Sequence, residues 1–198
     1  MKSINFLLVG VGGQGILTAS DILAELGLQT GYDVKKSEVH GMSQRGGAVS
    51  SHVRFGPRVY SPLIAQGEAD FLLAFEQLEA LRWATFLHPE GTVLASTQRL
   101  PPISVTSGNG HYPELAAVRE ELTGRAQRAI LLDAPLVAQQ LGNPRVANTV
   151  LLGALSSFLS FPIAQWEEIV GQCVPTRFID LNIKALHMGR DLVETENR

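Results

Sequence analysis

The sequence predicts an α/β protein, a three-layer α/β/α sandwich on a mostly parallel, mixed sheet. Three observations lead there. Apolar strand-like runs alternate with segments of helical period along the whole chain, the pattern of a layered α/β fold. The first run, Ile4–Val9, is continuous and ends in glycines, as in a strand covered on both faces. The second and third strand-like runs are joined by a loop too short for a crossover helix, so that pair is expected to be antiparallel.

Each element follows in order. Gln14 to about Thr30 has helical spacing, with Ala19, Leu23 and Leu26 on one stripe and Gly31 placed to end it. Asp33–Val39 reads as a short polar strand. Ala48–Phe55 alternates, with Val49, Ser51, Val53 and Phe55 on one face and Ser50, His52 and Arg54 on the other, predicting a half-exposed strand. Asp70–Phe75 and Gly91–Ser96 are strands separated by a helix over Glu76–Leu87. Leu100–Gly110, with two prolines and two glycines, reads as irregular or edge structure. Pro113–Gln127 is a helix with proline in its first turn, followed by a strand at Ala129–Asp133. Short helical segments follow, then an uncharged helix near Val146–Ser160 and another at Ala164–Cys173. In the last helix, starting near Pro175, Phe178, Leu181, Ala185, Met188 and Leu192 form one apolar face that also carries the amide of Asn182.

The chain has 198 residues, which suits one domain, 1–198. Its formal charge is −3, so it carries no basic field for phosphates and is expected to bind no nucleic acid. Charged residues are 18% and apolar residues 45%, an economy of charge that fits a surface partly covered by a partner. Val146–Trp166 is free of charge and long enough to cross a bilayer, but its serines, Asn148 and Pro162 favour a buried helix, and a cytoplasmic protein away from the membrane is expected. The single cysteine, Cys173, cannot make an internal disulfide or hold an iron–sulfur cluster, which takes about four thiolates. The histidines lack metal-ligand spacing, so no metal site is expected.

Two stretches carry candidate chemistry. Gly10-Val11-Gly12-Gly13-Gln14-Gly15 satisfies G-x-G-x-x-G between a strand and a helix. Glycines there allow a tight turn and close backbone approach, and the helix N–H groups favour an anion. A dinucleotide site of this type also wants an acidic residue near the end of the second strand, where Glu38 falls. Close packing of helix on strand explains the same glycines equally well. Ser37-Glu38-Val39-His40-Gly41-Met42-Ser43-Gln44-Arg45-Gly46-Gly47 packs more polar side chains and glycines between two strands than a turn requires. Arg45 beside Gly46 and Gly47 suits a carboxylate or phosphate, and His40 could move a proton or donate a hydrogen bond. A Glu38–Arg45 ion pair and a structural His40 are the plainer readings. No nucleophile–base pair stands out, and Asp133-Ala134-Pro135 reads as a turn.

These two motifs, with Asn148, Leu152-Gly153, Asn182, Ala185 and Gly189, resemble the gamma domain of 2-oxoacid:ferredoxin oxidoreductases over nearly the whole chain. The run from Ser37 to Gly47 is similar to the indolepyruvate (aryl-pyruvate) branch and its small (beta) subunit. The resemblance implies a subunit of a complex that oxidatively decarboxylates an aromatic 2-oxoacid, consumes coenzyme A and passes electrons to ferredoxin. It places thiamine diphosphate and the iron–sulfur clusters on a large partner subunit, leaves this chain inactive alone, and allows it to touch coenzyme A. Gly12, Gln14, Glu38, His40, Gln44 and Arg45 are thereby candidates for ligand or interface contact. Three alternatives stay open: a gamma subunit acting on pyruvate, 2-oxoglutarate or ketoisovalerate, a free-standing dinucleotide-binding enzyme, and a ligand-free interaction module, homodimeric when isolated.

Overall fold

A computed structural model describes residues 3–41 and 47–196. Its sheet has six strands in the order β2-β3-β1-β4-β5-β6, formed by Ile4–Val11 (β1), Asp33–His40 (β2), Ala48–Gly56 (β3), Ala69–Ala74 (β4), Leu87–Ser96 (β5) and Arg128–Leu132 (β6). β1, β4, β5 and β6 run parallel, and β3 runs antiparallel to both β1 and β2. The mixed sheet expected from the short 41–47 connection is thus present, and the chain folds as the α/β sandwich the sequence predicts.

The helices form two unequal layers. One face of the sheet carries Ile16–Gln29 (α1), Ala134–Gln140 (α5), Ala147–Ser156 (α6), Ile163–Cys173 (α7) and Ile179–Glu196 (α8), and its core runs from Phe6 and Leu8 to Trp166 and Val193. The other carries Gln77–Trp83 (α2) and Leu115–Arg125 (α4) over Leu7, Val9, Leu72 and Val93. Alternate residues of β1 thus enter two different cores, which explains why Phe6–Val9 is apolar at every position, while Asn5 before it donates to Glu68 O.

Three expectations need correction. β3 is not half exposed: Ser50, Ser51 and His52 are buried, because β3 lies inside the sheet and the rings of Trp83 and Phe86 cover His52. The strand foreseen at Gly91 begins at Leu87, directly after a 3-10 turn at Ala84–Phe86 shortens the preceding helix. The uncharged run from Val146 divides into α6 and α7 around Pro162, and no described helix is long and apolar enough to cross a membrane.

Within the thicker layer, α6 crosses α8 at two glycines. A Cβ at Gly153 would stand 2.0 Å from the carbonyl oxygen of Leu186, and one at Gly189 would stand 1.9 Å from that of Val150. Only glycine permits this backbone approach. It explains Gly153 and Gly189 as packing positions.

Candidate functional site

The parallel strands all end at one edge of the sheet, where the chain after β1 turns back to build β2 and β3 while β4 continues to β5 on the other side. Ligands of open α/β sheets bind at such a reversal. A cleft of about 210 Å³ lies there, lined among others by Gly13, Gln14, Ser96, Gln98, Arg145 and Asn148, with Phe75 and Leu151 as apolar walls.

The glycine loop forms the lip of this cleft. Gln14 closes it: its side-chain carbonyl accepts from Val11 N at 2.7 Å, and its Nε2 donates to Phe75 O at 2.7 Å and to Gln98 Oε1 at 3.2 Å. The amide that looked available for a ligand is therefore engaged in holding β1, β4 and the β5 exit together. Gly10 leaves room for that amide, since a Cβ there would meet Gln14 Oε1 at 2.6 Å. Gly12 donates its N–H to Gly47 O at 2.9 Å, which seats one flank of the 41–47 connection beside the loop. Gly13 and Gly15 both have positive φ, 101° and 76°, a conformation that disfavours a side chain. At Gly15 a Cβ would also strike Asn148, whose Nδ2 donates to Gly15 O at 3.2 Å.

That bond starts a polar chain into the thick layer. Asn148 Oδ1 accepts from Thr149 N at 2.8 Å, Thr149 Oγ1 donates to Asn182 Oδ1 at 2.7 Å, and Asn182 Nδ2 donates to Phe178 O at 2.8 Å. The three side chains are buried and satisfied, so the network fixes the loop against α6 and α8. Arg145 stands exposed at the mouth of the cleft. It follows an Asx turn in which Asn143 Oδ1 accepts from Arg145 N at 3.0 Å, and its guanidinium has no ion pair among the described residues. An exposed guanidinium, primary amides and the N-terminal N–H groups of α1 can together receive an anionic group.

Of the remaining sequence candidates, Glu38 is not where a ribose-binding acid would stand. β3 separates β2 from β1, so Glu38 lies on the edge strand, where it accepts from Lys36 Nζ at 2.7 Å and from Ser20 Oγ at 3.5 Å. Lys36 also pairs with Asp21. Glu38 thus pairs with Lys36, and the expected Glu38–Arg45 pair lies outside the described residues. His40 ends β2 at the same edge of the sheet as the glycine loop; its side chain, and Gln44, Arg45 and Gly46, lie outside the described residues. Asp133 caps α5, accepting from Leu136 N at 3.1 Å. Burial, with Glu25 and Asp21 nearby, pushes the Cys173 thiol up, away from a nucleophilic thiolate. Among the described residues no group of three or more His, Cys, Asp or Glu could hold a metal ion, and one thiol cannot ligate a cluster.

Sequence reasoning missed a second cavity on the thin-layer side of the loop. This groove of about 680 Å³ is walled by Val11, Gly12, Glu76, Leu78, Glu79, Arg82 and the segment Leu100–Ser104. Its floor is organised by Glu76, 1% exposed, which caps α2 by accepting from Leu78 N at 2.8 Å and Glu79 N at 3.0 Å. The same carboxylate accepts from Leu100 N at 3.1 Å and from the Tyr112 hydroxyl. Burial and the adjoining Glu76 carboxylate push the Tyr112 phenol above its ordinary range, so it stays a donor. Burial also raises Glu79, although Arg82 Nη1 lies 3.1 Å from Glu79 Oε1. The one local signal was an acid directly after a strand and before a helix; its distant partners carry no sequence mark.

Fold and cleft describe a Rossmann-like α/β domain with an open cleft at the ends of its parallel strands. The chain belongs to the Pyruvate ferredoxin/flavodoxin oxidoreductase family, which it matches over residues 5–192. It is 41% identical over 195 residues to indolepyruvate oxidoreductase subunit IorB of Thermococcus kodakarensis, spanning 96% of this chain and 95% of that one. The corresponding subunit of Archaeoglobus fulgidus is 42% identical over 188 residues, 94% of this chain and 93% of its own. The gamma subunit of a keto/oxoacid ferredoxin oxidoreductase from Geobacter sulfurreducens superposes with a TM-score of 0.71 at 26% identity, over 97% of this chain and 99% of that one. A 2-oxoglutarate:ferredoxin oxidoreductase from Magnetococcus marinus, with 2-oxoglutarate, coenzyme A and succinyl-CoA bound, shares the fold with a TM-score of 0.74 at 19% identity. The match covers 98% of this chain and 32% of that one.

Proposed function

We propose that the chain is the small subunit of an indolepyruvate (aryl-pyruvate) ferredoxin oxidoreductase, acting as one gamma-type domain over residues 1–198. In this reading it completes a complex that oxidatively decarboxylates an aromatic 2-oxoacid, forms the acyl-coenzyme A and passes the electrons to ferredoxin. The observation that carries it is the end-to-end identity of 41% with an indolepyruvate oxidoreductase subunit of nearly equal length. The ketoisovalerate relative VorA of Methanothermobacter marburgensis is 28% identical, which favours the indolepyruvate branch over that one.

Thiamine diphosphate and the clusters belong to the large partner subunit in this reading. The donor set supports that division, because one cysteine cannot bind a cubane cluster. This chain's share is the strand-end edge. Arg145 and the α1 N-terminus receive an anionic part of a ligand, with a phosphate of coenzyme A as the candidate, and Gly10, Gly12, Gly13, Gln14, Gly15 and Gly47 shape the lip. His40, Gln44, Arg45 and Gly46 are the sequence candidates for further contacts, Arg45 with a phosphate or the 2-oxoacid carboxylate.

Co-expression with the large subunit from the same genome tests this. The purified complex is expected to reduce ferredoxin fastest with indolepyruvate and coenzyme A, and neither subunit alone is expected to turn over. Faster turnover on pyruvate, 2-oxoglutarate or ketoisovalerate would replace the substrate assignment. Arg45→Ala and Arg145→Ala are expected to raise the KM for coenzyme A or for the 2-oxoacid with assembly intact; unchanged constants for both would remove these residues from the site.

A further inference from the structure

Nine large apolar side chains stand exposed among the described residues, and six of them share one end of the molecule. Leu17, Val39, Leu100, Ile103, Leu115 and Leu136 all lie where the parallel strands finish, around the glycine loop and its two cavities. Single exposed apolar residues are ordinary, but their segregation to one end marks an interaction surface.

The centre of this surface is a strap, residues 98–113, between β5 and α4. Both of its ends are tied to the start of α2. Gln77 N donates to Gln98 O at 3.2 Å, Leu100 N and the Tyr112 hydroxyl donate to Glu76, and Gln77 Nε2 donates to Pro113 O at 3.3 Å. The Arg99 guanidinium lies 4.9 Å over the Tyr112 ring and draws the two ends together. Between these anchors the chain makes one helical turn, Ile103–Thr106 (α3), which holds Ile103 out at 84% exposure. Its side chain is left largely uncovered within this subunit. Arg82, beside Glu79, and Arg99, 3.9 Å from Glu114, stand around the apolar centre half exposed, the arrangement of an interface with a polar rim.

We infer that the large subunit of the oxidoreductase docks on this strand-end face, with Ile103 entering an apolar pocket of that subunit and carboxylates there meeting the rim arginines. This rests on the subunit reading given above. The occupant is argued from the relatives: the stretch matching this chain is 36% of the ketoisovalerate subunit VorA and 32% of the 2-oxoglutarate oxidoreductase chain, so the fold recurs there joined to a longer polypeptide, for which a separate large subunit is the counterpart in this reading. Both cavities open on the same face, so docking would close them from water.

The test measures the affinity of the two purified subunits by biolayer interferometry. Ile103→Asp and Leu136→Asp are expected to weaken binding by about 30-fold or more, the scale of an interface hot spot. Tyr60→Asp, equally exposed at the opposite end, is expected to stay within about twofold of wild type. All three sites are exposed, so unfolding midpoints should not move, which separates lost docking from lost folding. Wild-type affinity in both Ile103→Asp and Leu136→Asp would overturn the proposal, as would equal damage from Tyr60→Asp. Loss of self-association in Ile103→Asp, with large-subunit binding untouched, would assign the face to a second copy and overturn it too. Failure of the wild-type chain to bind any thiamine-dependent large subunit would instead overturn the subunit reading, and this inference with it.

Discussion

The two helical layers hold to the same sheet by different means. On the thick side, α6 and α8 meet backbone to backbone at Gly153 and Gly189, and Asn148, Thr149 and Asn182 are hydrogen-bonded across the junction. Shape dominates there. On the thin side, a seven-residue α2 depends on one buried carboxylate, Glu76, which joins the helix start to a strap twenty-four residues further along the chain. Polar connections dominate there. A layer fixed by shape is intolerant of added atoms, whereas one fixed by a hub is intolerant of losing that hub. The thin side also bears the strap that presents Ile103, so the polar-wired layer is the one left with an unfilled surface.

The largest effect should come from adding one methyl group to the thick layer. Gly189→Ala would place a Cβ inside the carbonyl of Val150, and the crossing must open. Overpacking of this kind costs about 3 kcal/mol at its upper end. For a domain of this size that lowers the Tm by about 6–12 °C. Thermal unfolding followed by circular dichroism reads it. A fall of less than about 2 °C would show that the helices can separate cheaply, and the contrast between the layers would lose its first term.

Next comes removal of the hub. Glu76→Ala takes the acceptor from Leu78 N, Glu79 N, Leu100 N and the Tyr112 hydroxyl at once. Loss of the cap and of buried hydrogen bonds should cost about 2 kcal/mol. Hydrogen exchange resolves the strap from the rest of the fold. The Leu100 amide should exchange faster in the variant, while amides inside α6 change only by the shared loss of global stability. Glu76→Gln retains one acceptor and should recover part of the protection. Equal exchange of the Leu100 amide in wild type and Glu76→Ala would detach the strap from this carboxylate.

These two layers were unequally legible from the sequence. The apolar run Ile4–Val9, the glycine loop and the helical stripe of α1 are local patterns, and they predicted the strand, turn and helix at the strand ends. The short connection after Val39 predicted the antiparallel hairpin. The close contact of α6 and α8 was marked only by glycines whose partner helix lies more than thirty residues away, so spacing could not pair them. Glu76 serves Leu100 and Tyr112 across similar distances, and Arg145 reaches the cleft through a turn rather than a motif. β3 misled because Ser50, His52 and Arg54 look like a solvent face, yet the ring of His52 is covered by the adjoining rings of Trp83 and Phe86. The position of Glu38 misled for a topological reason, since alternation along β2 does not say that β3 will come between it and β1.

The smallest effect isolates that buried histidine, which belongs to the thin layer. His52 Nδ1 accepts from Ile64 N at 3.1 Å, a role open only to the neutral ring in this geometry. Burial, reinforced by the nearby Arg54 charge, holds its pKa below the ordinary value of 6.5. The unfolded chain therefore takes up a proton at a higher pH than the folded one. The stability that neutral His52 supplies is fully present above about pH 6.5 and declines as the pH falls through the unfolded value toward the depressed folded one. Urea unfolding of wild type and His52→Asn at pH 7.5 and pH 5.5 tests the sign, because Asn retains an acceptor near Ile64 N and cannot titrate. His52→Asn should be the less stable protein at pH 7.5, having lost the ring packed against Trp83 and Phe86, and should lose less than wild type on acidification. Parallel losses in the two proteins would mean that protonation of His52 does not govern the acid response, and that the thin layer tolerates a charge where its packing says it should not.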